Sequence, residues 1–259
     1  SDFGWKRNLL QWINQWALRS YDAVTAQCRT TLNETCARGI EPAKVRIMPS
    51  GFDLNRHPLT EEERARQRAQ YGAGPQDIVL VNAARLYPEK AQDKLLEVFK
   101  TLVVEDSRLK LWILGVGPLE AELHEKAKTL GLEDSVQFLG FCSDLHRVLK
   151  LADIQVHPSH AEGIPMSILS GMASALPIVA SEVGGISEVL EHEKSALLVP
   201  SAGASGFDQA FKAAILKLVQ DSKCRTGLGN NAAYFIDSEY SMEAAMRKLE
   251  QLYRDVLAV

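Results

Sequence analysis

The chain contains six short apolar runs between residues 78 and 199, and this series limits the folds that it can adopt. Each run is followed by turn residues, and most are then followed by apolar residues at the i, i+3, i+4 spacing of a helix. Strands that alternate with helices in this way are typical of a parallel sheet with helices on both faces. The sequence therefore predicts an α/β fold with a doubly wound parallel sheet. The predicted strands lie at residues 78–81, 109–114, 136–139, 154–156, 177–180 and 197–199.

The first 50 residues follow a different pattern. Two predicted strands, at residues 23–26 and 45–48, flank a predicted helix at 30–38, and two strands are too few for a stable parallel sheet. We therefore interpret residues 1–50 as the remnant of an N-terminal domain and its linker, with the beginning of that domain upstream. A helix before these strands carries an apolar stripe, which we expect to pack on a core rather than lie on a membrane. The stripe consists of Trp5, Leu9, Trp12, Ile13 and Trp16.

The rest of the chain is predicted to form one domain and a terminal helix. The linker at 49–53 and the charged stretch at 61–68 separate the remnant from a domain over residues 51–236. Residues 237–259 repeat apolar side chains at helical spacing, from Met242 to Val256, and are predicted to form a long amphipathic helix. We expect this helix to cross back to the N-terminal domain.

Composition excludes several classes of protein. With 259 residues, of which 46% are hydrophobic, the chain is long enough for one large core or two smaller ones. The net charge of -4 argues against a general binder of nucleic acid or of membrane surfaces, so an anion site requires locally placed cations. We predict small molecules as partners and no nucleic acid, and the sequence shows no pattern of a transmembrane helix or signal peptide.

The histidines and cysteines show no metal-ligand spacing. The cysteines, at positions 28, 36, 142 and 224, are interpreted as the reduced thiols of a cytoplasmic protein. The histidines form neither an HExxH pair nor a cluster, so no metal is predicted. His160 stands beside Glu162 and is the histidine nearest to a candidate site in the sequence.

The stretch 153–170 has the features of a ligand-binding loop. Residues up to His157 alternate as a strand would, Glu162 and Gly163 lie in the connection, and Pro165 suits the first turn of a helix, where its missing N–H is no loss. The first turn of a helix presents backbone N–H groups that can bind an anion. Taken alone, the stretch is equally consistent with an ordinary strand-to-helix connection.

A second loop of the same kind follows the run that begins at Ile78. It contains Arg85 and Lys90, and a helical pattern starts after it. In an open parallel sheet such loops lie together at the carboxyl ends of the strands, where ligands bind. Two cations near helix ends suit a diphosphate, so the two loops together favour a nucleotide site.

Several motifs follow one another in a fixed order along the chain. Residues 84–90 are followed by a Gly-rich turn at 114–118, an apolar segment at 138–141, the loop and helix start at 158–174, and the segments 183–186 and 197–200. In this order they resemble the retaining glycosyltransferases of glycosyltransferase family 4, from the diphosphate loop to the signature of a Glu, seven residues and a second Glu. Residues 45–53 resemble the interdomain linker of that family, with Ser50 where Asn is usual.

The resemblance covers nearly the whole chain and implies the GT-B fold, which consists of two facing Rossmann-like domains. Residues 51–236 would be the C-terminal domain, which binds the donor. The implied activity is transfer of a hexose from a nucleoside diphosphate sugar to a glycan or lipid-linked acceptor in polysaccharide or glycoconjugate biosynthesis. The resemblance implies no cofactor and no metal. It also implies a cytoplasmic location, with the inner face of the membrane as an alternative if the missing N-terminal domain associates with lipid.

The resemblance implies that Arg85, Lys90 and Glu162 are the catalytic residues. Arg85 can place two hydrogen bonds on phosphate oxygens and Lys90 adds a mobile charge, so together they would offset the charge of a departing nucleoside diphosphate. Glu162 can accept hydrogen bonds from sugar hydroxyls. Phe141 and Leu145 are expected to contact the base of the donor nucleotide, and plain packing in the core is an equal alternative for both. The other expected donor contacts are Gly163, Ile164, Pro165, Met166 and Ser170.

Two features depart from the family pattern. Ser170 replaces the second acid of the signature, and a serine hydroxyl makes one neutral contact where a carboxylate can make two charge-assisted bonds, a loss of about 1 to 3 kcal/mol. Most of the N-terminal domain, which holds the family's acceptor site, precedes Ser1. An alternative function is therefore a donor-domain module that binds a nucleotide sugar in a regulatory or partner-subunit role. A more distant alternative is a GT-B relative such as a nonhydrolysing sugar-nucleotide epimerase.

Overall fold

The computed structural model describes residues 12–14, 16–48, 51–52 and 59–257. Contacts divide the chain into two compact units. One comprises the described residues up to Phe52 together with those from Ser238 onward, and the other comprises the described residues from Leu59 to Asp237. The domain limits predicted at 50/51 and 236/237 stay predictions.

The first unit contains two short parallel strands, as the sequence predicts. Strand β1 (Val24–Ala26) pairs with β2 (Val45–Ile47), and helix α1 (Arg29–Ala37) connects them. Their small core consists of Ala26, Ile40 and Val45, with Leu18 packed against it.

The described residues of the tryptophan stripe do not belong to this core. Trp12 and Trp16 are 63% and 66% exposed within the described chain, contrary to the expectation of core packing. The helical residues at 16–20 place Leu18 against the small core instead, which has three buried residues among those described. Trp5 and Leu9 lie outside the described residues.

The second unit is built on a six-stranded parallel sheet, which confirms the predicted α/β class. Each of the six apolar runs forms a strand, and the strand order is β5-β4-β3-β6-β7-β8. All adjacent strands are parallel. The strands are β3 (Ile78–Ala83), β4 (Leu109–Leu114), β5 (Val136–Gly140), β6 (Ile154–His157), β7 (Ile178–Ser181) and β8 (Leu197–Val199).

Helices cover both faces of this sheet. One core cluster packs Leu80, Ile113 and Val156 of the sheet against Phe99 and Phe211, and a second packs Val81 and Trp112 against Val148 on the other face. Alternate residues of a strand point to opposite faces, and both faces are covered, which explains why the strands are apolar over most of their length. The helices are α2 (Glu61–Gln70), α3 (Gln92–Glu105), α4 (Glu120–Thr129), α5 (Leu145–Leu149), α6 (Met166–Ala173), α7 (Ile186–Val189), α8 (Phe207–Gln220) and α9 (Ser222–Glu239).

The charged stretch at 61–68 is part of a helix of the second unit and not a separator. Thr60 begins α2 with a capping box, in which its hydroxyl accepts from the Glu63 N–H and the Glu63 carboxylate accepts from the Thr60 N–H. Arg64 and Arg68 then anchor the helix through Asp153, which precedes β6. The helix is held by charge rather than by an apolar stripe, which is why helical periodicity does not reveal it.

The terminal helix of the chain, α10 (Met242–Leu257), matches the predicted amphipathic helix. The Phe52 N–H donates to the Tyr240 carbonyl at 2.8 Å, within the first unit. Among the described residues, no helix combines the length and apolar character needed to span a bilayer.

Candidate functional site

The strand order reverses between β3 and β6, so a crevice lies at the carboxyl ends of these two strands. Their ladder pairs Leu80 with Ile154 and Val81 with Gln155. Beyond it, the Asn82 side chain donates from Nδ2 to the Val156 carbonyl at 2.8 Å. Ligands of doubly wound sheets bind at such switch points, and the two loops selected from the sequence follow these two strands.

The loop after β3 is held in place by the neighbouring strand and by its own turns. The Leu86 N–H donates to the Val116 carbonyl at 3.1 Å. Residues Pro88–Lys90 form a single 3-10 turn, and Ala91 adopts a left-handed conformation (φ 52°) before α3 begins. Gln92, which is buried, donates from Nε2 to the Arg85 carbonyl at 3.0 Å. These contacts hold the main chain on both sides of Lys90.

Lys90 and Glu162 meet across the crevice. Nζ of Lys90 lies 2.6 Å from Oε2 of Glu162, and the Ser159 hydroxyl donates to Oε1 of Glu162 at 2.8 Å. The side chains of Lys90 and Glu162 are only 13% and 6% exposed. The His160 N–H donates to the Glu89 carbonyl at 2.9 Å, which joins the two loops a second time. The structure thus brings together two of the three residues predicted to be catalytic.

Arg85 has a different environment from Lys90. Its side chain is 69% exposed, and Nη2 lies 3.6 Å from Oε1 of Glu89. The guanidinium carbon also lies 4.9 Å from the centroid of the Tyr87 ring. Since a surface ion pair of this kind contributes little to stability, the guanidinium can leave it at small cost. The loop therefore carries one fixed cation and one adaptable cation.

The loop after β6 leads into α6 and rests on the loop after β7. Pro165 immediately precedes α6, and Ile164 is buried whereas Met166 is 47% exposed. The Gly185 N–H donates to the Gly163 carbonyl at 3.1 Å. A Cβ on Gly184, at φ 55°, would lie 1.7 Å from the Glu162 carbonyl oxygen. Gly184 and Gly185, which follow β7, therefore allow their main chain to approach and support the loop that carries Glu162.

Ser170 lies one turn into α6 and is 5% exposed. Its hydroxyl donates to the Met166 carbonyl at 2.9 Å, a bond within the helix. Phe141 is 77% exposed, so core packing is excluded for this residue. Leu145 is partly buried and packs against the second core cluster. The donor-binding roles predicted for these three residues stay predictions.

His157 is a buried residue of the site that sequence reasoning did not select for a role. Nε2 of Gln155 donates to the Ser167 carbonyl at 2.8 Å and lies 2.9 Å from Nε2 of His157. With the Gln155 amide oriented so that Nε2 faces the Ser167 carbonyl, Nε2 of the histidine is the acceptor, and this assignment corresponds to a neutral ring with its proton on Nδ1. Burial, with a smaller effect of the Lys90 charge, lowers the pKa of His157 from 6.5 to about 3.

Other residues of the site were also missed in the sequence. Asn82 is a polar residue within an apolar strand, and this exception is a signal that points to the crevice. Ser159 and Gly184 lie within the motifs, but their contacts with Glu162 depend on tertiary structure. No group of three His, Cys, Asp or Glu side chains among the described residues could hold a metal ion. The expected independence from cofactors stays a prediction.

Comparisons with known proteins agree with this geometry. The family model described as "Glycosyl transferases group 1" matches residues 63–235. N-acetyl-alpha-D-glucosaminyl L-malate synthase of Bacillus anthracis is 25% identical over 244 residues, which cover 94% of this chain and 62% of that protein. Alpha-D-kanosaminyltransferase of Streptomyces kanamyceticus is 27% identical over 252 residues, which cover 96% and 64% of the two chains.

Solved structures show the same fold. The structure of HepE (Alr3699) from Anabaena in complex with UDP-glucose superimposes with a TM-score of 0.84 at 22% identity, covering 92% of this chain and 65% of that one. The chain thus spans less than two thirds of the length of these relatives. The family match extends over more than half of the chain, from α2 to α9. The chain belongs to the family of group 1 glycosyl transferases, which the motif order in the sequence predicts.

Proposed function

We propose that this chain is the donor-binding part of a glycosyltransferase that transfers a hexose from a nucleoside diphosphate sugar to a hydroxyl of a glycan or lipid-linked acceptor. The observation that carries the proposal is the meeting of Lys90 and Glu162 across the crevice. A cation and a carboxylate at a switch point can bind the diphosphate and the sugar of one ligand at the same time. Membrane association and a cytoplasmic location stay predictions.

UDP is the nucleotide that we propose first. The Anabaena HepE structures hold UDP, UDP-glucose, or UDP with glucose, and a TarM structure from S. aureus also holds UDP. The likeness to these proteins lies in the fold, so the choice of UDP is an inference from fold to ligand. The sugar and the acceptor follow from the family resemblance alone.

In the proposed reaction, the bond between C1 of the sugar and the diphosphate oxygen breaks, and its electron pair leaves with the diphosphate. Lys90, Arg85 and the first-turn N–H groups of α6 would stabilise the developing negative charge. The acceptor hydroxyl would attack C1 from the face that the diphosphate leaves, so that the anomeric configuration is retained. Its proton would pass to the departing phosphate oxygen.

Glu162 has a separate task in this proposal. Its carboxylate would accept hydrogen bonds from sugar hydroxyls, while Ser159 holds it in position from the other oxygen. Lys90 would then lie between the diphosphate and Glu162, so the charge balance of the crevice changes when the donor enters. Positioning and electrostatics would supply most of the rate acceleration.

One observation favours the second candidate function, a module that binds a nucleotide sugar without turnover. The Ser170 hydroxyl is used within α6, because it donates to the Met166 carbonyl. A hydroxyl engaged in this way contributes less to the binding of ribose than the acid that the family signature has at this position. Such a module would keep donor binding through Lys90 and Glu162 and lose part of the affinity for the nucleoside.

Calorimetric titration with UDP, GDP and ADP tests donor binding. We expect saturable binding of UDP, weakened at least about ten-fold in Lys90→Ala through loss of a charge-assisted contact. Lys194→Ala is the matched control, because Lys194 pairs with Glu191 on the surface and is 71% exposed. Equal affinities in wild type and Lys90→Ala, or no binding of any nucleotide, would contradict both candidate functions.

Release of UDP from UDP-glucose separates the two candidates. A transferase site is expected to release UDP slowly with water as acceptor, above the background that Lys90→Ala gives. Binding of UDP-glucose without any release above that background would favour the module.

A further inference from the structure

A cavity of about 450 Å³ opens at the amino ends of β6 and β7, in the second unit. Ala152 and Asp153, which precede β6, and Leu176 and Pro177, which precede β7, form part of its wall. The loops that carry Lys90 and Glu162 follow the carboxyl ends of strands in the same sheet. The cavity therefore lies at the opposite end of the sheet from the proposed donor site. Its volume is in the range of small-molecule sites.

Among the described residues that line this cavity, cationic side chains outnumber carboxylates. Arg64, Lys150 and Arg225 contribute to its lining, and Asp153 is the one carboxylate among the described residues that line it. That carboxylate is already compensated, because Oδ1 lies 2.8 Å from Nη2 of Arg64 and Oδ2 lies 3.0 Å from Nη1 of Arg68. The Val79 N–H also donates to Oδ2, at 2.8 Å. The charge of Arg64 is used in the same pair, so the remaining cations of the lining are Lys150 and Arg225.

Arg225 has a fixed position at the beginning of α9. Its Nη1 donates to the Leu218 carbonyl at 2.7 Å and to the Val219 carbonyl at 3.4 Å, both at the end of α8. These bonds use one nitrogen of the guanidinium and involve no carboxylate, so Nε and Nη2 keep N–H groups that can donate to a ligand. Arg225 can thus reach a ligand without losing its structural contact.

Neutral polar and apolar groups complete the lining. Ser174, Thr226 and Asn230 supply hydroxyl and amide groups, and Leu176 and Pro177 supply a buried apolar surface. A cluster of cations beside hydroxyls and an amide suits a group with several acceptor oxygens, and the apolar wall suits a carbon skeleton. A free inorganic ion would fill only part of the volume.

We propose that this cavity binds a small organic phosphate, with the phosphate near Arg225 and Lys150 and the carbon skeleton against Leu176 and Pro177. The site is separate from the donor site and does not depend on the function proposed above.

Isothermal titration of the full chain at low salt tests the proposal, with phenyl phosphate, inorganic phosphate and phenol as probes. Phenyl phosphate is expected to bind saturably at one site and more tightly than inorganic phosphate, whereas phenol is expected not to bind measurably. Arg225→Gln and Lys150→Gln are each expected to weaken phenyl phosphate about ten-fold or more, since each removes a charged partner of the phosphate. Lys194→Gln, outside the cavity, is the control and is expected to leave the affinity unchanged.

Three outcomes would overturn the proposal. The first is that wild type shows no saturable binding of phenyl phosphate up to about 10 mM, which corresponds to a binding free energy weaker than about 3 kcal/mol. The second is unchanged affinity in both cavity variants. The third is loss of binding in Lys90→Ala alone. This third outcome would assign the phosphate to the loops that carry Lys90 and Glu162. Should Arg225→Gln lose its fold by circular dichroism because the Leu218 carbonyl loses its donor, Lys150→Gln decides the test.

Discussion

Nζ of Lys90 lies 2.6 Å from Oε2 of Glu162, and the two residues belong to loops from opposite halves of the sheet. Lys90 follows β3, at the edge of the β5-β4-β3 half, and Glu162 follows β6, at the edge of the other half. Their ion pair therefore spans the crevice at the point where the strand order reverses. A ligand that binds there has to compete with this bond or share it.

A double-mutant cycle measures how strongly the two residues are coupled. Lys90→Met and Glu162→Gln are each expected to lower the free energy of unfolding by about 2 to 4 kcal/mol, because each leaves a mostly buried charge without its partner. The double variant is expected to lose at least about 1 kcal/mol less than the sum of the single losses. Urea denaturation gives all four values. The exposed pair of Lys194 and Glu191 is the control, with an expected coupling below about 0.5 kcal/mol. Additive losses at Lys90 and Glu162 would contradict the prediction.

The close contact between Gly184 and the Glu162 carbonyl can be tested by comparison with a second glycine. That glycine has a similar backbone conformation but free space where a Cβ would lie. Both Gly184 (φ 55°) and Gly206 (φ 83°) have a left-handed conformation, but a Cβ on Gly206 would meet nothing within 4 Å. Gly206→Ala is expected to lose only the backbone strain of about 1 kcal/mol. Gly184→Ala is expected to lose about 1 to 3 kcal/mol more, because the loop that carries Glu162 has to move. Equal losses in thermal or urea unfolding would show that the contact relaxes freely.

Two glycines of α9 provide a similar comparison within one helix. A Cβ on Gly229 would lie 2.1 Å from the Ala175 carbonyl oxygen, whereas a Cβ on Gly227 would meet nothing within 4 Å. Gly227→Ala is expected to stabilise the protein by about 0.5 to 1 kcal/mol through better helix propensity. Gly229→Ala is expected to destabilise it by about 1 to 3 kcal/mol through overpacking. A stabilising effect of both substitutions in denaturant unfolding would be inconsistent with close packing of α9.

The pKa of His157 predicts a dependence of stability on pH. Because burial lowers this pKa from 6.5 to about 3, the unfolded chain binds more protons than the folded one between these values. The unfolding free energy therefore falls as the pH decreases below 6.5, by about 2 kcal/mol between pH 6.5 and pH 5 from this group. His157→Gln removes the group, so its unfolding free energy should fall by correspondingly less over the same interval. Parallel pH profiles of wild type and variant would refute the assignment.

Asp153 anchors helix α2 in the second unit, and we expect its replacement to lower the stability of the protein. It binds Arg64, Arg68 and the Val79 N–H, and the Arg68 side chain is only 4% exposed. Asp153→Asn leaves these guanidinium groups without a counter-charge and is expected to cost about 3 to 5 kcal/mol in unfolding free energy. Glu193→Gln, which breaks an exposed pair with Lys217, is expected to cost much less. A loss of stability in Asp153→Asn as small as that in Glu193→Gln would show that the buried pairing contributes little.

The sheet could be predicted because its strands are buried on both faces and therefore read as apolar runs. Helices without an apolar stripe were harder to predict. Helix α9 contains Gly227, Gly229 and two asparagines, which weaken its helical pattern, and α2 is anchored by arginines. Spacing also did not show that Trp12 and Trp16 are exposed, because a periodic pattern marks an apolar face of a helix but not what covers it.

The site could be predicted in part. Lys90 and Glu162 follow strands that a parallel sheet brings to one edge, so their proximity follows from topology. The ion pair itself, the bond from Ser159 and the support by Gly184 depend on the path of three loops, which periodicity does not encode. Burial of Ser170 and exposure of Phe141 likewise depend on tertiary packing, which the sequence pattern does not show.

The two halves of the sheet are joined by a short seam. Backbone pairing between β3 and β6 covers Leu80 with Ile154 and Val81 with Gln155, the Asp153 N–H donates to the Val79 carbonyl before it, and the side chain of Asn82 adds a link after it. One core cluster continues beneath this seam, because it contains Leu80 of β3 and Val156 of β6 together with Phe99 and Phe211 of the covering helices. The two halves of the sheet therefore form one packed body that carries both loops. A ligand that binds between Lys90 and Glu162 would gain from this preorganisation, since ordering the two loops costs it little.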